Sequence, residues 1–110
     1  MLSKANRLNK HGSFSYVYRN GRRFAEPDLV LICTPARNNV RVGFSVSNKV
    51  GKAVVRNKVK RRLRAAVQER ISRMAGCQAV FVANVSAAGK DYATLESQVE
   101  RLLKRAGLAE

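Results

Sequence analysis

Between positions 56 and 64 the chain carries Arg56, Asn57, Lys58, Lys60, Arg61, Arg62 and Arg64, six cations and one amide with no acid among them. A guanidinium presents a planar fork of donors that matches a phosphate or a base edge, whereas an ammonium acts as a point charge. The chemistry that this set offers is the gripping of a polyanion.

The spacing predicts a helix. At about 100° per residue Val55, Val59, Leu63, Ala66 and Val67 share one arc of roughly 120°. Asn57, Arg61 and Arg64, with Gln68 a turn later, gather within about 60° on the opposite side. Lys58 and Arg62 flank them on one side and Lys60 on the other. A solvated helix would intersperse Glu with Lys, yet no acid follows before Glu69. Asn57 either caps the helix start or adds a neutral reader among the charges.

A nuclease centre of the chain's own is not apparent. Two-metal cleavage of a phosphodiester needs clustered carboxylates, and the seven acids are scattered, with Glu26 and Asp28 the closest pair outside the last helix. His11 is the single histidine and stands in a polar basic segment, either exposed or against a phosphate. Cys33 and Cys77 lie in apolar runs with no CxxC pair, so they read as reduced, buried thiols and not as zinc ligands. No catalytic residue and no metal ligand is assigned.

The whole composition agrees with a polyanionic partner. Twenty-two Lys and Arg against seven Asp and Glu give a formal charge of +15 over 110 residues, which favours nucleic acid. No acid precedes Glu26, and none lies between Asp28 and Glu69, a stretch holding ten cations. With 45% hydrophobic residues a single folded domain over 1–110 is expected. There is no signal-peptide core, no apolar run long enough to span a membrane and no lipid-binding pattern. A cytoplasmic protein without a membrane partner is expected.

Other elements must hold the basic helix. Phe14, Val17 and Tyr18 recur at helical spacing, with Ser13 as a possible cap, Gly21 as the end and Tyr16 pointing away. "LVLIC" between Pro27 and Pro35 reads as a buried strand, "ARNN" as a turn, and "VRVGFSVS" as an alternating strand that pairs with its predecessor in a hairpin. The basic helix runs to about Met74. "CQAVFVANV" is a further strand, and a closing helix is capped by Asp91, turns Leu95, Val99, Leu102, Leu103 and Ala106 inward, and stops at Gly107. The order, helix, two or three strands, helix, strand, helix, gives an α+β two-layer sandwich with helices on one face of a mixed sheet. Phe14 and Tyr18 form an aromatic pair suited either to stacking on unpaired bases or to ordinary core packing. Ser45 and Ser47 leave room for a backbone beside Arg41.

These residues resemble the bacterial ribonuclease P protein subunit. Arg56, Asn57, Lys60, Arg61 and Arg64 match its R-N-x-x-K-R-x-x-R pattern, preceded by the family-like "RVGFSVSNKVGKAV". "LSKANRLNKHGSFSYVYRNGRRF" is similar to the family's R-L-x-x-x-x-x-F-x-x-V-[FY]-x-x-G. Ile32 stands where relatives often have an aromatic, and Asn48 where a second lysine is frequent beside Lys49. The resemblance implies a fold like the second domain of ribosomal protein S5, with a mixed four-stranded sheet, the order α-β-β-β-α-β-α and a left-handed β-α-β crossover, a rare hand. It implies a holoenzyme in which a large RNA, with Mg²⁺ held mainly by that RNA, hydrolyses precursor tRNA to remove its 5′ leader. The chain would be a monomer in that ribonucleoprotein. Arg56, Asn57, Lys58, Lys60, Arg61, Arg62 and Arg64 would meet the catalytic RNA. Phe14, Val17, Tyr18, Arg41, Ser45, Ser47 and Lys49 would line a cleft for the leader. The alternative of the same size and charge is a ribosomal protein that binds rRNA structurally.

Overall fold

The computed structural model describes residues 3–8, 10–37 and 39–109, so Leu2 and Asn9 of the N-terminal motif and Asn38 of the expected turn lie outside them. Along the chain run α1 (His11–Asn20), β1 (Arg22–Ala25), β2 (Leu29–Pro35), β3 (Val40–Ser45), α2 (Ala53–Gln68), β4 (Cys77–Ala83) and α3 (Tyr92–Arg105). Three strands therefore precede α2, and the α+β order is the expected one.

The sheet order is β1-β2-β4-β3, so the hairpin expected between β2 and β3 does not form. β4 lies between them, antiparallel to β2 and parallel to β3. The physical reason is burial: β4 is apolar on both faces and nearly all covered, which suits a central strand, whereas β3 carries exposed Arg41. A parallel neighbour requires a crossover, and α2 supplies it. Ala36 and Asn39 meet the start of β4, with Ala36 N–H donating to Gly76 O and Cys77 N–H to Asn39 O. A Cβ on Gly76 would come within 2.4 Å of Ala36 O, so only glycine lets the strand enter there.

Helices cover both faces, not one. Leu29, Leu31, Val42, Ala79 and Phe81 pack against Val59, Leu63, Val67, Leu95, Val99 and Leu102 of α2 and α3. Fully burying a side chain such as Leu63 contributes about 1.5–3 kcal/mol. On the opposite face Val17 of α1 joins Leu8, Ile32 and Val80 in a smaller cluster. The outer edge of β3 is covered by the N-terminal segment: Arg7 bridges Val42 in parallel, Leu8 N–H donates to Val42 O and Asn6 Nδ2 donates to Val40 O at 2.8 Å.

Three boundaries differ from the periodicity. α1 starts at His11 because Lys10 O already accepts from the backbone N–H groups of Ser13 and Phe14, leaving Ser13 inside the first turn. β3 stops at Ser45, because Val50 N–H turns back to Ser47 O. α2 ends at Gln68 and not near Met74. Arg70 leaves the helical path and turns inward, buried, to meet Glu96 and Glu100 of α3. α3 follows the expectation, with Asp91 Oδ1 accepting from Thr94 N–H at 2.8 Å as its cap.

Candidate nucleic-acid interface

Burial of Val59, Leu63, Ala66 and Val67 fixes the rotation of α2, and that rotation turns Asn57, Arg61 and Arg64 to solvent. These three line, with Val54, a depression of about 420 Å³. Val54 is 68% exposed and escaped the sequence reading. The signal was a β-branched residue on the polar arc beside Asn57. Lys58 is exposed, and Lys60, Arg62 and Arg56 are half-buried. Arg56 Nε donates to Gly51 O at 3.0 Å, steadying the loop that leads into the helix. Arg62 donates to Lys90 O at 2.7 Å.

The acids are engaged elsewhere. Glu26 pairs with Arg101 at 2.8 Å and Arg105 at 3.1 Å. Glu96 and Glu100 pair with Arg70, which also reaches Glu69 at 3.7 Å. Burial raises the pKa of Asp28, but hydrogen bonds from Ser86 and Gln98 and the Lys90 charge outweigh it and hold this carboxyl below its ordinary value. Gln98 Nε2 donates to Asp28 at 2.6 Å, and Asp28 N–H donates back to Gln98 Oε1 at 2.9 Å. The Asp91 carboxyl is lowered by its bonds from Thr94, with Arg62 adding a smaller effect. Among the described residues no acid therefore forms an ion pair with a cation of α2. Like charges on adjacent turns repel by a few tenths of a kcal/mol per pair, and no ion pair among the described residues relieves that repulsion on α2.

A second surface lies on the other face of the sheet. The Phe14 ring rests on the backbone of Gly43, where a Cβ would approach Phe14 Cζ to 2.4 Å. Arg41 and Ser45 flank Gly43 on the same face of β3, Arg41 exposed and Ser45 half-buried. The Tyr18 ring is 6.3 Å from that of Phe14, tilted by 53°, and 44% exposed. Val17 has no exposure at all, so it seats the helix under these rings and offers no side-chain surface to a ligand. Ser47 and Lys49 are exposed beyond the end of β3, in the connection to α2. Gly43 was legible only as a strand residue; its contact with Phe14 spans the fold. Ile32 is covered beneath α1, and His11 is exposed at the helix start.

Both cysteines are free and buried, and burial pushes the Cys77 thiol up to about 12, which keeps it unreactive. Among the described residues no three of His, Cys, Asp or Glu converge to hold a metal ion. No described helix is long and apolar enough to cross a membrane.

Comparison with known proteins agrees with this architecture. Residues 2–107 match the family Ribonuclease P. A ribonuclease P protein component from Clostridium botulinum is 42% identical, covering 96% of this chain and 97% of its own. One from Gluconacetobacter diazotrophicus is 38% identical over 98% and 97%. The structure of the Staphylococcus aureus RNase P protein superposes with a TM-score of 0.90 at 28% identity, covering 97% of this chain and all of that one. The arginine-asparagine helix, the aromatic groove and the split sheet thus occur in a chain that belongs to the bacterial ribonuclease P protein component family.

Proposed function

We propose that this chain binds the catalytic RNA of ribonuclease P through α2 and the single-stranded 5′ leader of precursor tRNA through the groove between α1 and the sheet. In this reading it assists the Mg²⁺-dependent endonucleolytic cleavage that yields the mature tRNA 5′ end, in the cytoplasm. In this reading the RNA performs phosphodiester hydrolysis and holds the divalent ion. Asn57, Arg61 and Arg64, with Lys58, Lys60 and Arg62 beside them and Arg56 behind, grip phosphates. Phe14 and Tyr18 stack on unpaired leader bases, and Arg41, Ser45, Ser47 and Lys49 follow the leader backbone.

The observation that carries this reading is the separation of charge. Among the described residues no cation of α2 forms an ion pair, while Glu26, Glu69, Glu96 and Glu100 pair with arginines outside that helix. An external polyanion would relieve the cationic face of α2. Binding of a bacterial ribonuclease P RNA measured against salt tests it, since neutralising several phosphates makes affinity fall steeply with ionic strength. A salt-independent affinity would contradict it.

A further inference from the structure

Arg61 is shared by two depressions. Beside the one lined by Val54, Asn57 and Arg64, a second of about 350 Å³ is lined by Lys58, Arg61, Arg62, Ala65 and Tyr92. It joins the flank of α2 to the first residue of α3, and Tyr92 belongs to neither of the surfaces described above. Three cations and an aromatic side chain surround an alanine floor.

Two parts of this second depression, Tyr92 and Arg62, are held in place. The Tyr92 hydroxyl donates to Glu96 Oε2 at 3.2 Å, and Glu96 pairs with Arg70 at 3.4 Å. Burial and the neighbouring Glu96 charge raise the Tyr92 pKa, so the phenol remains a donor. Arg62 is fixed across the start of α3 by its bond to Lys90 O at 2.7 Å. Of the acids beside it, Glu96 is engaged by Tyr92 and Arg70, Asp91, the cap residue before α3, by Thr94, and Glu69, next to Tyr92, by Arg70. An aromatic side chain next to cations, one of them fixed, matches one unpaired nucleotide: the ring takes the base by stacking and the cations take its phosphate.

We propose that the depression between α2 and α3 is a nucleotide subsite, in which Tyr92 stacks on an unpaired base of the catalytic RNA while Lys58, Arg61 and Arg62 hold the adjoining phosphate. This rests on the assignment of α2 to the catalytic RNA. It extends that contact from one helix to the α2–α3 seam, so the strand crosses Arg61 from one depression to the next.

The test is binding of a bacterial ribonuclease P RNA to the full-length protein over a range of salt, with thermal unfolding as a control on the fold. Tyr92→Leu is expected to weaken binding roughly tenfold with an unchanged slope of log affinity on log salt. Tyr92→Phe keeps the ring and is expected to stay within about twofold. Ala65→Met fills the floor without touching the core and is expected to weaken binding by a similar factor to Tyr92→Leu. Arg61→Ala serves as the reference for the helix itself. Wild-type affinity in Tyr92→Leu and Ala65→Met, alongside a weakened Arg61→Ala, overturns the subsite and leaves the helix assignment standing. Equal losses in Tyr92→Phe and Tyr92→Leu, or a reduced salt slope in Tyr92→Leu, also overturn it, because the ring would then be only a prop. No loss in Arg61→Ala contradicts the helix assignment. If Tyr92→Leu does not fold, Ala65→Met decides the matter.

Discussion

Arg70 Nε donates to Glu100 Oε1 at 2.5 Å, joining the residue just past α2 to the middle of α3. Burial lowers the Arg70 pKa, but the bonds and charges of Glu100 and Glu96 raise it further, so the guanidinium stays ionised in its covered position. It also donates to Ala66 O at 2.8 Å, closing the exposed carbonyl end of α2. The cationic helix is therefore tied at its end to α3 through Glu96 and Glu100.

Replacing Arg70 with Met is expected to destabilise the fold by about 2 kcal/mol. Breaking a fully buried pair costs more, but Glu96 and Glu100 keep 29% and 27% of their side-chain surface, and water solvates them in part. Chemical denaturation checks this. A change within about 0.5 kcal/mol, as at ordinary surface sites, would contradict it.

The same contact predicts a pH response. The bond from Arg70 lowers the Glu100 pKa from its ordinary 4.5; burial opposes this, and the charges of Arg70 and Lys104 assist. A carboxylate depressed in the folded state contributes its stability above the unfolded value and loses it as pH falls through the folded one. Asp28, also lowered, acts in the same direction. Wild-type stability should thus drop as pH falls below about 4.5, and Arg70→Met should show a shallower drop. Parallel pH profiles would remove Arg70 from this role.

In the groove, Gly43→Ala must move the Phe14 ring, and Phe14→Ala deletes it. Loss of one stacked base corresponds to about 1–3 kcal/mol. Both variants are expected to weaken binding of precursor tRNA to the holoenzyme roughly tenfold while mature tRNA, which lacks the leader, binds nearly as before. Equal losses for the two RNAs would make Phe14 a core residue.

On α2, Arg61→Ala or Arg64→Ala should leave the unfolding temperature unchanged, since both side chains are exposed. Each should lower affinity for the catalytic RNA and reduce the magnitude of the salt slope by about one. An unchanged slope with normal affinity would exclude that side chain from phosphate contact.

The helix face was legible in the sequence because one periodicity, from Val55 to Val67, fixes what is buried and so what is presented. α3 was legible for the same reason, with Asp91 as an explicit cap. Strand order was not, because alternation in Val40, Val42 and Phe44 says which face is buried and nothing about the neighbour. That depended on Gly76 admitting β4 against the backbone of Ala36. The end of α2 was missed because Arg70 stops the helix through long-range partners, Glu96 and Glu100, that no local pattern records. Tyr92 and Val54 escaped notice because their roles arise only where α2 and α3 come side by side or where the polar arc is exposed.

The most direct measurement adds the purified protein to a bacterial ribonuclease P RNA at low Mg²⁺, with the RNA alone as the control, and follows cleavage of precursor tRNA at the 5′ end of the mature sequence. Restored cleavage is the predicted result, with Arg61→Ala requiring more protein to reach it. Cleavage no faster than with RNA alone would contradict the proposed role.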